Sequence, residues 1–150
     1  MLVYNGRGTR WEPIMRIRTV FVSILLGALG ACSTPGTRSD LLETTLQSYA
    51  ATIRWGNFED AVTFLDPETQ KAHPLTKLDL ERYQQIRVAG YLEQPVRPVG
   101  ENEVRQTVEI TLSNNNTLSV RSFLDRQVWR YDEKTKHWWL MTGLPDITQH

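Results

Sequence analysis

Five side chains of the chain are the candidates for proton transfer of the kind that enzymes use. They are Asp66, His73, Tyr83, Asp125 and His137. A catalytic acid or base needs a pKa displaced from its ordinary value and a partner within hydrogen-bond reach. The sequence shows neither, so we assign no catalytic residue and do not predict an enzyme.

Sequence context suggests a structural role for each of these five residues. Asp66 precedes a proline, where a turn-forming Asp is expected. His73 and His137 lie beside polar segments, and we expect solvated side chains there. Tyr83 on a short helix is interpreted as a core aromatic residue. Asp125 lies near an inferred bend that could turn its side chain toward a cleft, although an exposed carboxylate is the simpler expectation.

Other chemical signatures are absent from the sequence. There is no Gly-rich phosphate loop, no His or Cys pair spaced for a metal and no Gly-x-Ser-x-Gly elbow. We therefore predict no metal and no cofactor. Residues 32–150 have 13 Lys and Arg against 16 Asp and Glu, a formal net charge of −3. A mildly acidic domain predicts no nucleic-acid partner and no electrostatic attraction to anionic lipid headgroups.

The only cysteine, Cys32, is the residue whose chemistry is easiest to interpret. It follows Arg16, Arg18 and the apolar run VFVSILLGALG at residues 20–30. That run is shorter than the roughly 20 residues that span a bilayer, and the pattern indicates a targeting segment. The tetrapeptide LGAC at residues 29–32 resembles the lipobox of bacterial lipoproteins. The resemblance implies cleavage after Ala31 and attachment of lipid to the Cys32 thiol.

These features divide the chain into four segments. Trp11, Glu12 and Pro13 are unusual in the basic region of a signal peptide. We therefore expect translation to begin at Met15, with residues 1–14 a wrongly assigned start. Residues 15–31 are the predicted signal peptide, 32–38 a short flexible tether and 39–150 a single domain. Ser33 after the lipidated cysteine resembles the signal for transfer to an outer membrane in a host with two membranes.

Helical spacing dominates the first part of the domain. A first helix is predicted to begin at Asp40, with Glu43 completing a capping box, and to end at Gly56. Its apolar stripe consists of Leu42, Leu46, Tyr49 and Ile53. A second helix is predicted from Asn57 to Asp66, and a helical turn over residues 78–85.

The second half of the domain alternates with the period of strands. A strand over 103–112 has its apolar face at Val104, Gln106, Val108, Ile110 and Leu112. An earlier strand is predicted over 86–96. A later one runs through Leu118 and Leu124 toward Trp129 and Tyr131. Its parity slips between Leu124 and Trp129, which predicts a bulge or bend near Asp125 and Arg126. Residues 132–136 form the last hairpin loop, and 137–141 form the return strand.

This element order predicts an α+β fold, with two or three N-terminal helices packed on a curved antiparallel sheet of about four strands. Residues 49–67 (YAATIRWGNFEDAVTFLDP) and the terminal HWWLMTGLP resemble the nuclear transport factor 2-like superfamily, a cone-shaped fold. A cystatin-like sheet around a helix is the neighbouring alternative. Several enzymes of that superfamily place Asp, His or Tyr in the cone pocket, but no such motif matches here residue by residue.

Four aromatic residues are the candidates for a pocket or an interface. Alternation sends Trp138 and Trp139 to opposite faces of the last strand, and Trp129 and Tyr131 share a face of the strand before it. Across the hairpin these side chains could form an aromatic patch on the sheet. Such patches are enriched at interfaces. We therefore predict that this sheet face binds a protein partner or a second copy of the chain.

Together the patterns predict a lipid-anchored protein of the cell envelope that faces the periplasm. Its domain is interpreted as a non-catalytic binding or accessory module that uses the sheet face or the cone pocket. A small-molecule enzyme of the isomerase or dehydratase type is the first alternative, and a structural envelope protein is the second. A pocket lined by apolar side chains would favour a binder, whereas a paired acid and histidine would favour an enzyme.

Overall fold

The structure, a computed structural model, describes residues 36–148. The predicted start at Met15, the cleavage after Ala31 and the lipidation of Cys32 lie outside those residues and stay predictions. Between residues 36 and 148, no helix has both the length and the apolar character that crossing a bilayer requires.

The described residues form four α-helices and five strands. The helices are α1 (Arg38–Arg54), α2 (Phe58–Ala61), α3 (Pro67–Ala72) and α4 (Lys77–Gln84), with a 3₁₀ turn at Val62–Phe64. The strands are β1 (Ile86–Glu93), β2 (Arg97–Pro98), β3 (Glu103–Asn114), β4 (Val120–Asp132) and β5 (His137–Leu140). All strand pairs are antiparallel, in the order β1-β3-β4-β5, with β2 also pairing with β3. Helices packed on one curled antiparallel sheet confirm the predicted α+β class.

Helix α1 begins one turn earlier than the capping pattern predicted. Thr37, not Asp40, is the N-cap: its hydroxyl accepts from the Asp40 N–H, and the Asp40 carboxylate accepts from the Thr37 N–H. Asp40 therefore occupies the third helical position that was predicted for Glu43. The helix ends as predicted, because Gly56 has a φ of +76°, which residues with a β-carbon adopt at a cost.

The next helical segment is shorter than predicted and is followed by a helix that the sequence did not reveal. Helix α2 passes into the 3₁₀ turn, and Leu65 leaves in extended conformation. Asp66, predicted to end the second helix, is also the N-cap of α3. Its carboxylate accepts hydrogen bonds from the N–H groups of Glu68 and Thr69, and Pro67 lies in the first turn of α3. An Asp-Pro pair fits both roles, since proline is favoured at the first helical position.

The predicted alternation of strand β3 is confirmed, whereas the predicted irregularity in strand β4 is wrong. The five predicted inward positions of β3 are all buried. The β3–β4 register runs without interruption from Glu103 opposite Arg130 to Ser113 opposite Val120, so the predicted bulge near Asp125 and Arg126 is absent. Leu124 therefore faces away from the helices, and Asp125 faces toward them. The described register shift lies instead in β1, at residues 88–90.

Candidate functional site

The middle of the inner face of β4 has polar side chains, Asp125 and Gln127, where core residues are expected. Gln127 is 1% exposed and connects three neighbours. Its amide nitrogen donates to the Asp125 carboxylate at 2.7 Å and to the Tyr91 hydroxyl at 3.2 Å. Its amide oxygen accepts from the Trp129 indole nitrogen at 3.1 Å. We call Tyr91, Asp125, Gln127 and Trp129 the inner polar cluster.

Burial raises the pKa of Asp125 above its ordinary value of 3.8, and the hydrogen bond from Gln127 opposes that rise. Within residues 36–148, no lysine or arginine forms an ion pair with this carboxyl group. Loss of hydration is therefore not offset by a positive charge. A carboxyl group of this kind can accept a hydrogen bond when ionised and donate one when protonated.

Three tyrosines respond to the charge of Asp125. Burial is the main cause that raises the pKa of Tyr49, Tyr83 and Tyr91, and the Asp125 charge adds to the rise in each. The pKa of Tyr83 reaches about 12. The buried Tyr49 hydroxyl has no hydrogen-bond partner among the described residues. The inner polar cluster thus lies among neutral phenols, which are hydrogen-bond donors at neutral pH.

A cavity of about 560 Å³ opens beside α4. Tyr83 lines it and stacks on Phe58 with ring centroids 4.0 Å apart. Much of the wall is apolar and includes Val62, Leu65, Pro74, Leu75 and Leu144. Tyr83 therefore adds a hydrogen-bonding hydroxyl group to a largely apolar wall.

The acidic groups of this cavity are occupied by local hydrogen bonds. The Asp79 carboxylate accepts from Thr76 in the capping box of α4, which lowers the pKa of Asp79. The Asp146 carboxylate accepts from Thr148. His73 lines the same cavity and is exposed. The cavity therefore offers apolar contact and a few hydrogen-bonding groups to a small ligand.

Three of the four aromatic residues predicted for a pocket or an exposed interface are buried in the core. Trp129, Tyr131 and Trp138 share the inner face of the sheet, and the Trp138 indole donates to the Arg38 carbonyl at 3.2 Å. The predicted aromatic patch on the sheet surface is therefore wrong, because the helices cover the face that these residues share. Trp139 faces the other way, half-buried, with its ring 4.1 Å from that of His137.

The remaining proton-transfer candidates are dispersed. Asp66 caps α3, and His73 lies at the other end of that helix. His137 is half-buried on the outer side of the last hairpin, where burial lowers its pKa and the Asp132 charge opposes this. The expectation of an exposed Asp125 is wrong, because the unbroken register of β4 turns its side chain inward.

Gln127 and Tyr91 were not recognised from the sequence. Gln127 donates a hydrogen bond to the Asp125 carboxylate, and Tyr91 accepts one from Gln127. Counting back by twos from Trp129 would have found Gln127 and Asp125 on the inner face. The apolar residues Val120 and Leu124 suggested the opposite parity. Tyr91 was not predictable in this way, because its contact with Gln127 joins strands 36 residues apart.

Comparisons with known proteins show the fold and no activity. No family model matches the chain, and no curated protein matches it. A solved SEC-C motif-containing protein from Psychrobacter arcticus is similar over 77% of this chain and 68% of its own, with a TM-score of 0.54 and 12% identity. A ketosteroid isomerase-like protein from Erwinia carotovora atroseptica is similar over 67% of this chain and 88% of its own, with a TM-score of 0.46 and 15% identity. Of these two, the first shows a shared fold.

Proposed function

We propose that the chain is a membrane-anchored lipoprotein of the cell envelope whose cone-shaped domain, of the nuclear transport factor 2-like type, is a non-catalytic binding module. The observation that supports a binding role is the cavity beside α4. Its volume of about 560 Å³ lies within the range of small-molecule sites, and much of its wall is apolar. We propose a small, largely apolar ligand, with Tyr83 as the hydrogen-bond donor that orients it.

Blocking the cavity tests this role. Leu75 lines the cavity, and Leu78 lies on α4, 54% exposed and outside the lining residues. We expect Leu75→Trp to weaken binding of anilinonaphthalene sulfonate, a fluorescent dye with apolar rings, by about tenfold, equivalent to about 1.4 kcal/mol. Leu78→Trp is the matched control and should bind the dye like the unchanged protein. Equal binding by both variants would show that the dye, and the proposed ligand class, does not use this cavity.

The anchor is proposed from the tetrapeptide at residues 29–32. Covalent acyl chains can hold a protein at a membrane surface, provided that more than one signal or chain contributes. We expect Cys32→Ser to abolish incorporation of a radioactive fatty acid and to leave unprocessed precursor, because the thiol is the acylated group. In a host with two membranes, Ser33 favours the outer one, with the domain facing the periplasm. Label retained by the variant would contradict the anchor.

An acid–base enzyme is the second candidate, and the environment of Asp125 favours it. A half-buried carboxyl group with a raised pKa, connected through Gln127 to the Tyr91 hydroxyl, suits proton transfer to and from a carbon acid. The test is exchange of deuterium from solvent into a panel of small carbonyl compounds. Deuterium exchange that is lost in Asp125→Asn would support an enzyme over a binding module. The control variant Asp146→Asn should keep the exchange.

A further inference from the structure

The outer face of the sheet, which points away from the helices, is positively charged although the domain is acidic. Residues 32–150 have a formal net charge of −3. Alternation and register nevertheless place five arginines against three acidic residues on the outer face of β1 to β4. These residues are Arg87, Arg97, Arg105, Arg126 and Arg130, with Glu103, Glu109 and Asp132. Folding thus separates charges that look balanced along the sequence.

Three of these arginines form a patch that few acidic groups neutralise. Arg97 lies directly opposite Arg105 across β2 and β3, an arrangement that destabilises a sheet when the charges are not compensated. Arg126 is on the same face of the next strand, opposite Thr107. Among the described residues, neither Arg97 nor Arg126 forms an ion pair. We call Arg97, Arg105 and Arg126 the arginine patch.

The nearest carboxylate is committed elsewhere. Glu103 contacts Arg130 at 3.2 Å and Arg105 only at 4.0 Å. The Arg105 side chain is 64% exposed. The planar guanidinium group binds carboxylate and phosphate groups through two parallel hydrogen bonds. The patch therefore presents unsatisfied donors to an anionic partner outside the domain.

Exposed leucines border the arginine patch. Leu92 on β1 and Leu124 on β4 face outward on either side of Glu109 and are 66% and 42% exposed. Positively charged side chains interspersed with apolar ones are typical of surfaces that lie against a membrane interface. A soluble anion would make no apolar contact with the leucines, whereas a lipid would contact both the leucines and the arginines.

The start of the domain lies at the same end of the sheet as the patch. Arg38 stacks over the Tyr131 ring and pairs with Glu133. Arg105 lies opposite Val128, three residues along β4 from Tyr131, which is about 10 Å. Six peptide units separate Cys32 from Arg38, and a chain of that length spans at most about 20 Å. A lipid on Cys32 would therefore keep this end of the domain close to the bilayer.

We propose that the arginine patch binds anionic phospholipid headgroups of the membrane that holds the anchor. The inference rests on the proposed lipid anchor and replaces the expectation that the mildly acidic domain has no electrostatic attraction to anionic lipid headgroups. The anchor supplies a high effective concentration, so that even a weak contact suffices to orient the domain. The outer face of the sheet then lies toward the bilayer, and the cavity beside α4 stays open to solvent.

Thiol labelling tests this orientation on the full lipidated chain. Cys32 is the only cysteine, and its acylated thiol does not react, so an introduced cysteine is the single free thiol. Leu124→Cys places it beside the patch, and Ala51→Cys places it on the exposed side of α1. The protein is inserted in vesicles of phosphatidylcholine, with or without phosphatidylglycerol, and treated with an uncharged maleimide. We expect the anionic lipid to slow labelling of Leu124→Cys severalfold and to leave Ala51→Cys unchanged.

Charge removal identifies the groups responsible. Changing Arg97, Arg105 and Arg126 to Gln in the Leu124→Cys protein should restore fast labelling, because each basic residue near an anionic surface strengthens the contact roughly fivefold. High salt should do the same. The control changes Lys71, Lys77 and Arg82 on the helices to Gln. It removes the same charge from an exposed region and should keep the protection.

The outcomes separate the two proposals. A mass spectrum without acyl chains would refute the anchor, and the headgroup contact would fall with it. Acylated protein that labels equally fast on both vesicles would refute the contact and leave the anchor intact. Equal protection on phosphatidylcholine alone, or protection that increases with the density of protein, would overturn the headgroup contact in favour of apolar insertion or a second copy of the chain.

Discussion

The two faces of β4 differ more than the sequence of that strand suggests. The inner face combines Phe123, Trp129 and Tyr131 with three polar residues, of which Asp125 and Gln127 bond to each other. The outer face alternates apolar residues with arginines and is largely exposed. Polar groups inside are tolerated only when they are hydrogen-bonded. Apolar groups outside are tolerated singly, and a row of them indicates a surface that another molecule covers.

The difference indicates where this domain departs from simple packing. A strand optimised for stability alone would place its leucines inward and its polar residues outward. Strand β4 reverses that arrangement at Leu124 and Asp125. Departures of this kind are expected at functional positions, which depend on the rest of the core for stability. The acid–base alternative at Asp125 and the arginine patch both involve this strand, one on each of its faces.

The largest expected effect separates the two adjacent tryptophans of β5. Trp138 is 3% exposed and packs on Tyr131, whereas Trp139 faces outward. We expect Trp138→Ala to lower the free energy of unfolding by about 3 to 5 kcal/mol. Trp139→Ala should lower it by less than about 1 kcal/mol. Urea titration measures both, and equal losses would mean that the two faces are buried alike.

A smaller loss is expected when the inner polar cluster is broken at its centre. Gln127→Leu leaves the Asp125 carboxylate and the Trp129 indole without their partners, at a cost of about 1 to 3 kcal/mol. Gln106→Leu is the matched control on β3, because Gln106 is also buried and makes a single 3.3 Å bond to the Gln94 carbonyl. If both variants unfold at the same urea concentration, the hydrogen bonds of Gln127 add no more to stability than the single bond of Gln106.

The pH dependence of stability should distinguish two aspartates of β4. The pKa of Asp125 is raised on folding above its ordinary value of 3.8. Its contribution to the stability of the folded state is therefore present below pH 3.8 and is lost as the pH rises through the pKa that Asp125 has in the folded protein. Asp125→Asn should remove that loss and stabilise the domain at neutral pH. The pKa of Asp132 is lowered, chiefly by the Lys134 N–H and Thr135, so its contribution is lost as the pH falls. Asp132→Asn should therefore alter the acid side of the profile instead, and matching profiles for the two variants would contradict the assigned environments.

Local patterns predicted those parts of the fold in which each side chain follows its expected preference. Helix α1 and strand β3 have regular apolar periods, and Gly56 marks a helix end by its conformation alone. In the inner polar cluster, only the Tyr91 contact depends on strand pairing between residues far apart in the chain. Asp125 and Gln127 were missed because Val120 and Leu124 suggested the opposite parity for β4. The arginine patch was hidden as well, since only the register brings Arg97 and Arg105 together.

The smallest expected effect tests the parity of β4 directly. If Leu124 faced the core, as its apolar character suggested, Leu124→Ser would cost several kcal/mol. The structure places it outward and 42% exposed, so we expect the free energy of unfolding to change by no more than about 0.5 kcal/mol. Leu112→Ser, at a buried position of the paired strand, should cost at least about 2 kcal/mol. A large loss at Leu124 with little at Leu112 would invert the sheet, and both the inner polar cluster and the arginine patch would then be assigned to the wrong faces.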